Sequence, residues 1–129
     1  MKMILLSIAA LILWLPAEAQ AAAVKYEPDV VTLSGMLDLE EIKEQGLPVT
    51  IFYLKLDRPV DIEFDPKNEA NRGETGIMKI QLNIKGDEII SLVKANRDMP
   101  AQAIGTLRHA RTSREHTPVV MTVDRLQVQ

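Results

Sequence analysis

Met78-Lys79-Ile80-Gln81-Leu82-Asn83-Ile84-Lys85 alternates apolar and polar residues without a break. Side chains on a strand point to opposite faces in turn, so this pattern describes a strand with one face on a core and one in water. Met78, Ile80, Leu82 and Ile84 are the expected core face. Upstream, Val30 to Leu37 is β-branched and alternating, with Gly35 marking a bend or bulge, and Val49 to Leu56 places Phe52, Leu54 and Leu56 on one side. Asp57-Arg58-Pro59 is expected to end that second strand, and an acidic loop from Asp38 to Pro48 to separate the two. A loop of about a dozen residues, Asp65 to Gly76, leads into the third strand.

Downstream, Lys85-Gly86-Asp87 ends the alternation. Asp87 can cap a short helix through Asn96 with Ile89, Leu92 and Val93 on one face. The same residues also read as a hairpin strand, because a short apolar run does not distinguish the two. Pro100 stops either one. Ala101 to Leu107 and Thr117 to Val128 are the fourth and fifth strands. In the last, the apolar phase Val119, Met121, Val123 switches to Leu126 and Val128, which predicts a bulge near Asp124 and Arg125. Five strands with one helix between the third and fourth is the plan of the oligonucleotide/oligosaccharide-binding (OB) Greek-key barrel; an open sheet covered by one helix is the alternative.

The start of the chain reads as an address. Lys2 precedes an apolar run from Met3 to Leu15, shorter than the ~18 residues a membrane span needs, and Pro16-Ala17-Glu18-Ala19 follows. Residues 1–19 are expected to be a signal peptide cleaved after Ala19, or as late as Ala23. A retained anchor is the competing reading; cleavage would leave no stable one. Residues 20–29 are then a lead-in and 30–129 a single domain in the periplasm or outside the cell. The sequence has no cysteine, so disulfides, thiol catalysis and Cys-ligated zinc are excluded.

Tyr26-Glu27-Pro28-Asp29-Val30-Val31-Thr32-Leu33-Ser34-Gly35, the Leu54-to-Pro59 strand end, and Gly105-Thr106-Leu107-Arg108-His109-Ala110-Arg111-Thr112-Ser113-Arg114-Glu115-His116-Thr117-Pro118-Val119 together resemble short exported bacterial proteins of the family catalogued as domain of unknown function forty-four thirty-one. The resemblance covers most of the chain after the leader. It implies a small exported β domain and no assigned activity. Such relatives tend to carry several histidines in the closing loop and a cysteine soon after the Leu-Asp-x-Pro turn. Here His109 and His116 are separated by Arg111, Ser113, Arg114 and Glu115, and Val60 stands near the cysteine position.

Charge is unevenly spread. Glu27 to Glu69 holds 11 acids and four bases, whereas Lys94 to Arg125 holds six bases and three acids, within a net charge of −3. The acidic strand 1–2 loop (Asp38, Glu40, Glu41, Glu44) and the basic strand 4–5 loop (Arg108, Arg111, Arg114) are the loops with which OB barrels bind. They either pair across the barrel mouth or leave the arginines free as an anion site. Arg108, His109, Arg111, Arg114 and His116 are the candidate binding residues, for an envelope protein or an anionic glycan. His109, Glu115 and His116 are a thin candidate metal set, and Ser113 with His116 a thinner catalytic pair. No cofactor is implied. The acidic balance, the export leader and only four aromatics after it argue against nucleic acid.

Overall fold

The computed structural model describes residues 22–129; the expected signal segment lies outside the described residues. Among the described residues six strands and one helix follow in order: β1 (Ala22–Val24), β2 (Val30–Glu44), β3 (Leu47–Ile62), β4 (Glu74–Asn83), α1 (Asp87–Ala95), β5 (Pro100–His109) and β6 (Val119–Val128). Hydrogen bonding closes a ring: β2 pairs antiparallel with β3 and β5, β3 with β4, β5 with β6, and the parallel pair β4–β6 completes it. This is the expected OB-like barrel, with the helix between the third and fourth of its five ring strands. The lead-in carries structure as well: β1 lies parallel on β3, with Ala22 opposite Val60. No helix among the described residues is long and apolar enough to cross a membrane.

Closure brings inward-facing residues of all five ring strands together. Leu37, Leu54, Ile80, Leu107 and Met121 are fully buried. A Leu of this kind contributes roughly 1.5–3 kcal/mol by leaving water. Gly35 and Gly105 let the strands bend this tightly. A Cβ on Gly35 would lie 2.1 Å from the Lys55 carbonyl oxygen, and one on Gly105 1.9 Å from that of Thr122. Gly35 pairs with both Leu56 and Ala101, where β2 passes from one neighbour to the other. The bulge in β6 is where the phase switch places it: Ile104 pairs with Arg125 and Gly105 with Val123, leaving Asp124 unpaired.

Several expectations need correction. Asp38 to Pro48 is not a loop; it is the outer half of a long hairpin that turns at Gln45-Gly46, both with positive φ (51° and 78°), as a two-residue primed turn requires. Asp57-Arg58-Pro59 does not end β3. Lys55 pairs with Lys79 and Val60 with Ile77, so these residues bulge out of the ladder, where a proline without N–H is tolerated. That shift also overturns the inward placement of Met78: Ile77 turns inward and Met78 is 48% exposed. The segment after β4 is helix rather than strand and runs from Asp87 to Ala95, one residue short of Asn96; Gly86 occupies the cap position and Asp87 is the first helical residue, where its charge favours the helix N-terminus. Val93 fastens α1 to the core. Pro100 opens β5 instead of preceding it.

The β3–β4 loop is tied down. Asn71, fully buried, donates to Asp65 Oδ2 (3.4 Å) and accepts the His109 N–H (3.0 Å), and its backbone bonds to Asn68 and Asp65. Tyr26 donates its hydroxyl proton to the Arg72 carbonyl beside it. Burial, with the charge of Glu74 adding to it and Arg72 opposing, pushes the Tyr26 phenol up to about 12.

Candidate binding site

Alternation along β2 and β3 places Asp38, Glu40, Ile42 and Glu44 on the outer face opposite Tyr53, Ile51, Val49 and Leu47. The β5–β6 loop, residues 110–118, comes down on this face. Gln81 of β4 holds it: its side-chain oxygen accepts the His116 N–H (2.6 Å), its amide nitrogen donates to the Arg114 carbonyl (3.4 Å), and its backbone N–H donates to Thr117 Oγ1 (2.9 Å). Between loop and hairpin tip lies a cleft of about 610 Å³. Ile42, Leu47 and Val49 supply its apolar lining; Lys43, Glu44, Ser113, Arg114 and His116 its polar lining. Leu47 is 68% exposed at the rim.

The charged loops pair across the mouth. Glu44 lies 3.8 Å from Arg114 Nε and 3.6 Å from His116 Nε2. Arg111 reaches Glu27 of the lead-in (3.2 Å), and Arg108, near the end of β5, pairs with Glu115 of the loop. The three guanidinium groups thus meet three different carboxylates on three segments and do not form one anion pocket. Arg108 Nη1 is buried without a hydrogen-bond partner. The exposed Arg111–Glu27 and Arg114–Glu44 pairs contribute ~0–1 kcal/mol each, so the latter sets the position of the tip more than it stabilises the fold; the Arg108–Glu115 pair is largely buried.

The structure also separates the residues of the candidate metal set. His109 is buried at the barrel end with Nε2 2.9 Å from Glu74 Oε1. Glu115 is engaged by Arg108 and by the N–H groups of Arg111 (2.8 Å) and Thr112 (3.2 Å), and His116 faces Glu44. Among the described residues no group of three acids and histidines could hold a metal ion. Ser113 and His116 share the cleft but have no hydrogen bond to each other among the described residues. Gln81, Leu47, Ile42 and Val49 were not legible as site residues; Gln81 in the sequence is one polar position of an alternating strand.

Glu115 fastens the inner side of the loop. Burial raises its pKa, but the Arg108 ion pair and the Arg111 and Thr112 N–H groups outweigh burial and hold the carboxyl below its ordinary range. A depressed carboxylate stabilises the folded state above its unfolded pKa, ~4.3, and that contribution is lost as pH falls through the lower folded value. Amide protection at residues 111–117 is therefore expected to be high at pH 5 and to fall below ~4, whereas Glu115→Gln, which cannot ionise, is expected to show the weaker protection at both. A loop equally protected in that variant at every pH contradicts this anchoring.

No family model matches the chain, and no curated protein matches it.

Proposed function

We propose that the protein is a non-catalytic binding module of the bacterial cell envelope, periplasmic or secreted, that receives a glycan chain or a protein segment in the cleft between the β2–β3 hairpin tip and the β5–β6 loop. The observation that carries this reading is the cleft itself. Two loops far apart in sequence are held face to face by Gln81 and Glu44 around an apolar floor with an exposed leucine at its rim. Grooves that combine an apolar lining with a few placed polar groups are the usual form of binding sites. The compartment rests on the leader pattern and on the resemblance to short exported proteins.

Leu47→Asp combined with Arg114→Ala tests the reading, because both side chains are mostly exposed (Leu47 68%, Arg114 77%) and the fold should lose no more than ~0.5 kcal/mol for each. The expected result is at least a tenfold loss in the retention of envelope glycans or proteins by the immobilised protein. Undiminished retention would count against the cleft.

A further inference from the structure

The outer face that ends in the cleft carries, at its other end, a cluster of cations that the sheet does not need. Lys55 of β3 and Lys79 of β4 are direct cross-strand partners, both exposed. Like charges directly opposite each other on a sheet are destabilising. Arg97, in the connection after α1, joins them. The carboxylate within ion-pair distance is Asp38, shared between Lys55 Nζ (3.3 Å) and Arg97 Nε (3.5 Å). Lys79 has no carboxylate within that distance among the described residues, and its ammonium lies 4.0 Å from the centre of the Tyr53 ring. Burial opposes ionisation of Asp38, but the Leu39 N–H, Lys55 and Arg97 outweigh it and keep the carboxyl below its ordinary range. Asp38 therefore stays ionised and holds two of the cations in place, and the cluster retains an excess of positive charge.

Charge is also segregated by strand. On this outer face the acids Asp38, Glu40 and Glu44 all stand on β2. The outward positions of β3 are Lys55, Tyr53, Ile51, Val49 and Leu47, and those of β4 are Lys79, Gln81 and Asn83, with no acid among them. Tyr53 and Ile51 belong to the outer phase and are nevertheless 3% and 5% exposed. From Lys55 to Leu47 the strand covers roughly 26 Å at ~3.3 Å per residue. Between the two, Tyr53 and Ile51 are covered and the β5–β6 loop sits on Gln81, so the lysine pair is a station of its own, apart from the cleft with Arg114 and His116.

We propose that Lys55, Lys79 and Arg97 form an anion-binding station for an acidic glycan, whose carboxylate or phosphate groups settle between the two lysines. This rests on the binding-module reading and names its ligand class. Two probes separate the anionic chemistries: a uronic-acid oligomer and a glycerol-phosphate oligomer, with a neutral glucose oligomer as control. Binding of either acidic probe is expected to weaken with added salt and to fall at least tenfold in a Lys55→Gln/Lys79→Gln double variant. Removing two opposed charges should leave the melting temperature within about 2 °C of the original. No saturable binding of either acidic probe, equal binding of the neutral one, or affinity unchanged in the double variant overturns the proposal. If the double variant retains envelope ligands while Leu47→Asp/Arg114→Ala loses them, the lysine station fails and the cleft stands.

Discussion

Gly105→Ala is expected to destabilise the barrel by about 3 kcal/mol or more, a large share of the ~5–15 kcal/mol that holds a small domain folded. The added Cβ would sit 1.9 Å from the Thr122 carbonyl oxygen and 2.9 Å from its carbon. Both are backbone atoms of the paired strand, so β6 itself must move. It is pinned there: Gly105 pairs with Val123 beside the bulge at Asp124, and Met121 and Val123 on the same strand are in the core. Gly35→Ala meets the same obstacle at the Lys55 carbonyl, 2.1 Å away. Gly46 is the control. Its φ is 78°, but no atom lies within 4 Å of its Cβ position, and asparagine tolerates the left-handed region. Gly46→Asn should cost well under ~1 kcal/mol. Urea unfolding of the three variants reads the difference; a Gly105→Ala protein as stable as Gly46→Asn would mean that β5 and β6 do not pair as closely as described.

The second large effect belongs to Asn71. This side chain is inaccessible to solvent, accepts the His109 N–H and donates to Asp65, while its backbone closes the loop turns at Asn68 and Asp65. Leucine matches its size approximately and none of its bonding. Asn71→Leu leaves the His109 N–H buried without a partner, at ~1–3 kcal/mol, and releases the Asp65 carboxylate that also caps Lys67 N–H (2.9 Å). A total loss of about 3 kcal/mol is expected, together with faster amide exchange across residues 65–73. A loss below ~0.5 kcal/mol would show that the loop closes the barrel end without this side chain.

What could be read from the chain beforehand follows from where one face is wet and the other dry. Ile80 and Leu82, Phe52 and Leu54, and the phase switch at Asp124 all report a buried inner face, and the barrel follows from their order. Beyond the barrel mouth this signal vanishes. The hairpin residues Glu40 to Lys43 pair only with Ile51 to Pro48 of β3, both faces meet solvent, and an acidic strand looks like an acidic loop. At Asp57-Arg58-Pro59 a bulge preserves the strand across a sequence that normally ends one. The candidate site was half visible. The two charged loops do face each other, and Arg114 and His116 do meet Glu44, but His109 belongs to the barrel end with Glu74 and Asn71. Gln81 acquires its role only because the loop returns over β4, a contact between residues more than thirty apart in the chain.

Photo-crosslinking from a reactive residue placed at position 47, compared with one at position 30, tests the cleft most directly. Leu47 and Val30 are similarly exposed, at 68% and 63%, and stand at opposite ends of the long β2–β3 hairpin. In the presence of the envelope glycan or protein that the immobilised protein retains, position 47 should form an adduct that an excess of the same material without a label suppresses, and position 30 should form none. Equal labelling from both positions, or labelling from position 30 alone, would contradict binding between the hairpin tip and the β5–β6 loop.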